Sequence, residues 1–144
     1  MNYIEFKDVL DSIKRERPIL FQLEHDKSVP DEIVNQCEKY YGVRFPDSYR
    51  DFVKEIGGGY IGFLLIYSLD EYGRFYLLDH VSNDMVDKTG ILSVIDLETG
   101  DYIGYLIEDD VCKEEMVIWL HEENEIKKLD KGFFEIILEK GLKL

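Results

Sequence analysis

Val43-Arg44-Phe45-Pro46-Asp47-Ser48-Tyr49-Arg50-Asp51-Phe52-Val53-Lys54-Glu55-Ile56, followed by Gly57-Gly58-Gly59, reads as a helix complete with start, face and stop. Pro46 has a fixed φ and no N–H to leave unpaired, so it suits a first turn, where Asp47 sets negative charge against the positive end of the helix dipole. Tyr49, Phe52, Val53 and Ile56 follow at i, i+3, i+4 and i+7, which makes one apolar stripe. The glycines supply the positive φ that ends a helix. They turn the chain toward Ile61-Gly62-Phe63-Leu64-Leu65-Ile66-Tyr67, an apolar run that reads as a strand.

A second helix precedes this one. Ser28 stands as its N-cap, Pro30 and Asp31 in the first turn, Ile33, Val34, Cys37 and Tyr41 at helical spacing, and Gly42 at the stop. Taken together, Pro30, Glu32, Ile33, Glu38, Gly42, Phe45-Pro46, Tyr49, Phe52 and Gly57-Gly58-Gly59 resemble the SUKH superfamily. That group is named in part for a fungal cell-wall assembly regulator, and its bacterial members are mostly immunity proteins. Gly100-Asp101-Tyr102 is similar to the family's Gly-Asp-aromatic strand start, and the stretch from Leu129 to Leu138 to its closing amphipathic helix. The likeness is densest between Ser28 and Gly59. Phe45 stands where the family usually has Leu, Ile56 where it commonly has Asn, and the acid of the first helix falls at Cys37 or Glu38 according to register. The family pattern holds no catalytic set to carry over; its shared residues determine the fold.

The chain has 144 residues, enough to bury a core without staples, and is read as one domain over 1–144. Cys37 and Cys112 match no metal spacing and are expected to be reduced structural thiols. No apolar leader follows the first basic residues and no run nears the ~18 apolar residues of a membrane span, so a cytoplasmic location is expected. The formal net charge of −14 repels nucleic acid and favours a basic partner.

Residues 2 to 16, with Ile4, Val9 and Ile13, read as a short amphipathic helix over the domain edge, broken by Pro18. Strand-like runs follow at Ile61–Ser68, Arg74–Leu78, Ile91–Ile95, Tyr102–Ile107 and Met116–His121, with Glu125–Lys128 a short sixth. Helices, then consecutive strands, then a closing helix predict an α+β fold. Its mainly antiparallel sheet of five to six strands carries helices packed on one face.

Catalytic patterns are lacking. His25, His80 and His121 have no ligand spacing, Asp109-Asp110 and Glu114-Glu115 lack the remaining ligands of a calcium loop, and no serine sits in a nucleophile elbow. No metal, no cofactor and no enzymatic activity are therefore expected, with a hydrolase using an unidentified carboxylate pair as the enzymatic alternative. Charge is concentrated instead: residues 96 to 125 hold eleven acids against Lys113 alone, a net −10. They are either solvated loops or a partner surface. The residues assigned to such a surface are Asp96, Glu98, Asp101, Tyr102, Tyr105, Glu108, Asp109, Asp110, Glu114 and Glu115. Strand alternation puts Tyr102 and Tyr105 on opposite faces and leaves open which is exposed. The resemblance implies an immunity protein that binds a cognate toxin, commonly one with a nuclease domain. Clustered carboxylates would there occupy the basic face that holds phosphates. The alternative it implies is a non-enzymatic regulatory or scaffold domain related to fungal cell-wall assembly regulators.

Overall fold

A computed structural model describes residues 1–144. Seven strands form one antiparallel sheet whose spatial order follows the chain: β1 His25–Asp26, β2 Gly58–Ile61, β3 Leu64–Ile66, β4 Ile91–Asp96, β5 Tyr102–Glu108, β6 Val111–Leu120 and β7 Glu125–Lys128. Six α-helices accompany it: α1 Tyr3–Glu16, α2 Asp31–Tyr41, α3 Asp47–Glu55, α4 Leu77–His80, α5 Asn83–Thr89 and α6 Phe133–Ile136, the last running on as a π-helical turn over Ile137–Gly141. The fold is α+β as expected, with one strand more than the upper count.

The decisive helix forms where its residues place it. Pro46 holds the N-cap position of α3, one residue before the expected first turn, and Tyr49, Phe52 and Val53 are each 0% exposed. Gly57 and Gly59 take φ of 108° and 103°. Ser28 does not cap α2; Pro30 occupies its N-cap, and Gly42 ends it in the left-handed conformation. Glu38 explains why an acid belongs in this helix. Its carboxylate accepts from the Phe45 N–H at 2.6 Å and from Arg50 at 2.7 Å, which locks the α2–α3 corner.

Several expected elements differ. Ile61–Ser68 is not one strand but part of a hairpin, because Gly62 turns the chain at φ 60° where any Cβ would collide with the Gly141 carbonyl. Arg74–Leu78 is not a strand either: the Arg74 and Phe75 N–H groups donate to the Asp26 carboxylate, Tyr76 makes only an isolated bridge to Ser68, and Leu77 already begins α4. The buried face of α1 is Phe6, Leu10 and Ile13, while Ile4 is 75% exposed. Phe6 stacks on Phe134 at 4.6 Å, so α1 belongs to the core and not to its edge. The closing helix begins at Phe133, not at Leu129. Helix α5 and the two-residue β1 are additional to the expected elements; Ser82 caps α5 by accepting from the Met85 N–H, and Gly90 stops it.

One apolar cluster of 34 buried residues runs from Phe6 to Leu142. It includes the inner face of the sheet, where Tyr105 packs beneath Tyr49 of α3 and Phe133 of α6 at 6.2 and 5.9 Å between rings. Ile91 and Val117 are also buried but lie outside that cluster, on the opposite, outer face, of which Leu65 alone among the paired strand residues from Tyr60 to Ile126 joins the cluster. Cys37 and Cys112 are free and buried, and burial pushes their thiols up to about 11 and about 12. Neither is a thiolate at neutral pH. No helix is long and apolar enough to cross a membrane.

Candidate functional site

Strand register builds a continuous row across the outer face. Tyr60 pairs with Leu65, Leu65 with Asp96, Asp96 with Tyr102, Tyr102 with Trp119, and Trp119 with Ile126. Residues directly opposite in neighbouring strands share a face, so these six side chains line up from β2 to β7, with Leu65, 6% exposed, buried between Tyr60 and Asp96. Tyr102 and Trp119 are partly exposed and stacked, with ring centroids 6.2 Å apart and planes 21° from parallel. Ile126 is 43% exposed. At the other end the Tyr60 ring meets Phe75 edge-on at 5.5 Å.

Carboxylates sit along this row and at the end of the sheet beside it. Tyr67 donates its hydroxyl hydrogen to Asp96 at 2.8 Å, and Tyr60 donates to Glu98. The turn after β4 is shaped by Asp96 itself, which accepts from the Glu98 N–H at 2.7 Å while Glu98 adopts φ 60°. Because antiparallel neighbours alternate in direction, the β6–β7 turn lies at the same end. There Asp101 Oδ1 contacts His121 Nδ1 at 2.6 Å and accepts from the His121 N–H at 2.9 Å. The hydrogen bond to Asp101 raises the His121 pKa, and its partner lowers that of Asp101.

The sign of that coupling is testable. His121 contributes stability that is complete below its unfolded pKa of about 6.5 and is lost as pH rises through its higher folded value. Asp101 contributes above its unfolded value and loses it as pH falls through the lower folded one. An NMR titration of the imidazole should therefore have its midpoint above 6.5, and Asp101→Asn should bring the midpoint down. An unchanged midpoint in the variant would show that the pair does not couple.

The ten residues assigned to a partner surface do not form one patch. Asp96, Glu98, Asp101 and Tyr102 belong to the end just described. Glu108, Asp109 and Asp110 belong to the β5–β6 hairpin at the opposite end, separated by the length of β5, roughly 20 Å. Asp109 and Asp110 occupy a two-residue turn with φ of 52° and 63°, the left-handed pair that a tight hairpin requires. Tyr105 is corrected: it is 0% exposed, on the inner face, and cannot touch a partner. Glu114 is tied up structurally, accepting from the Ser48 hydroxyl at 2.7 Å, while that hydroxyl lies 2.8 Å from the Tyr105 oxygen. It anchors the first turn of α3 to β6. Glu115 pairs with Lys128 at 3.3 Å. Sequence reasoning did not single out Trp119 and Ile126, which strand register alone brings into the row, Trp119 opposite Tyr102 and Ile126 opposite Trp119.

A family model described as SMI1-KNR4 cell-wall, SUKH_6, matches residues 31–137, from the first residue of α2 into the π-helical turn after α6. No curated protein and no solved structure matches the chain. The matched span contains the Glu38 corner, the α3 stripe, the glycine turn and the whole outer row, and on that match the chain belongs to the SMI1-KNR4 family of the SUKH superfamily.

Proposed function

We propose that this chain is a bacterial, cytoplasmic immunity protein that binds a basic cognate toxin, of the nuclease type, and neutralises it by covering its active face. The observation that carries the reading is the outer row of Tyr102, Trp119 and Ile126 beside clustered carboxylates, on a chain of net charge −14. A nuclease face must be cationic to hold phosphates, so an acidic surface is attracted to it at long range, and aromatic side chains supply contact area once docked. Neutralisation of this kind needs no bond making or breaking. The cell-wall description of the family model favours a second reading, a non-enzymatic regulatory or scaffold domain that binds a cellular protein.

The two readings part on one experiment. The purified chain is mixed with the C-terminal domain of a toxin encoded in an adjacent reading frame, and cleavage of nucleic acid is followed. Immunity predicts stoichiometric suppression, with an association rate that falls as salt rises. Undiminished cleavage at tenfold excess of this chain would overturn the reading in favour of the regulator.

A further inference from the structure

We infer that the outer row docks an arginine-bearing surface of a basic protein, with a guanidinium laid over the Trp119–Tyr102 stack beside the carboxylate of Asp96, which stands directly opposite Tyr102. This inference rests on the protein-binding reading above and adds the face and the chemistry of the contact. Trp119 and Ile126 lie outside the main apolar cluster, so helix packing does not account for them, and they continue the row to the last strand of the sheet. An indole face attracts a cation, and a planar guanidinium both stacks on it and pairs with carboxylates in a way an ammonium does not. Asp96 accepts the Tyr67 hydroxyl on one oxygen and the Glu98 N–H on the other, and each oxygen retains a further lone pair for a partner's donor. Charge complementarity selects the occupant. Nucleic acid and anionic lipid are repelled, and a second copy would bring two chains of −14 together with the same carboxylates facing each other.

Trp119 is the one tryptophan of the chain, so its fluorescence reports this site directly. The full chain is titrated with nona-arginine and with nona-lysine, and the affinities are confirmed by calorimetry. The expected result is a saturable change in Trp119 emission, with nona-arginine binding at least fivefold more tightly. Tyr102→Ala and Ile126→Lys should each weaken nona-arginine at least tenfold. Ile126 is exposed enough for its replacement to leave melting unchanged, which protects the test against a folding defect at Tyr102. Asp109→Asn with Asp110→Asn should stay within twofold, because those acids are roughly 20 Å away and screening acts over about 8 Å. Silent Trp119 emission, equal affinity for the two peptides, or loss of binding only in the hairpin variant would overturn the inference. Concentration-dependent dimerisation that shields Trp119 would overturn it in favour of a second copy. A chain that suppresses the toxin while Tyr102→Ala and Ile126→Lys suppress it equally well keeps the immunity reading and loses this surface.

Discussion

Tyr49→Ala is expected to lower the free energy of unfolding by about 3–5 kcal/mol, a large share of the roughly 5–15 kcal/mol that holds a domain folded. Tyr49 is 0% exposed and lies among Phe45, Tyr105 and Phe133, with ring centroids 5.6, 6.2 and 6.0 Å away. These neighbours come from the α2–α3 corner, the interior strand β5 and α6, so the ring joins three parts of the core. Truncation removes that contact and leaves a cavity that rigid neighbours on three sides cannot close. The hydroxyl is a separable contribution, because it donates to the Tyr67 carbonyl at 2.7 Å. Tyr49→Phe keeps the ring and strands that buried carbonyl, so its cost should be smaller, about 1–3 kcal/mol. Burial holds the phenol pKa well above its ordinary value, and its ionisation therefore contributes no pH dependence near neutrality. Urea unfolding of the two variants checks the ordering. A Tyr49→Ala protein with the midpoint of the parent would remove this stripe from the core.

That stripe was legible because everything that makes it is local: helical spacing, a proline at the start, glycines at the end. The same logic failed where a side chain from a distant segment replaced a backbone partner. Arg74–Leu78 has the alternation of a strand, yet its first two N–H groups, those of Arg74 and Phe75, are taken by Asp26, nearly fifty residues earlier. Ile61–Ser68 has the composition of one strand and becomes two, because the reason for the turn, the close approach of Gly141 to Gly62, is a tertiary contact. The candidate surface shows the same division. Acid-rich composition pointed to residues 96–125, but a meander sends successive turns to opposite ends, so neighbours in sequence such as Asp101 and Asp109 are far apart in space. Period two correctly set Tyr102 against Tyr105 and could not say which was outside. Only the helices stacked on Tyr105 decide that, and only register brings Trp119 and Ile126 to Tyr102.

Asp26→Ala is the second substitution expected to act strongly, at about 3–5 kcal/mol, and nothing in the sequence marks it. Asp26 is 7% exposed at the end of the two-residue strand β1. Its carboxylate accepts from the Ser68 hydroxyl at 2.6 Å, the Phe75 N–H at 2.9 Å and the Arg74 N–H at 3.1 Å. The loop from Leu69 to Phe75 thus wraps a single side chain, so closely that a Cβ on Gly73 would strike the carboxylate carbon. Alanine leaves three donors without an acceptor in a site with little access to water, and each buried unpaired group costs about 1–3 kcal/mol before relaxation. Asparagine keeps the shape but turns an NH2 toward donors, so Asp26→Asn should fall between alanine and the parent. Ser68→Ala removes one donor and leaves two, and should cost least. Thermal unfolding gives the order, and hydrogen exchange at the Arg74 and Phe75 amides locates it, with both amides exchanging faster in the alanine variant than in the parent. Equal protection of these amides in parent and variant would show that the loop is held by other contacts. The consequence reaches the outer row at one end only. Phe75 braces Tyr60 edge-on, whereas Trp119 and Ile126 are set by β6 and β7. Releasing the loop should therefore loosen Tyr60 while Trp119 keeps the emission of the parent, which separates a fault in the scaffold from a fault in the surface.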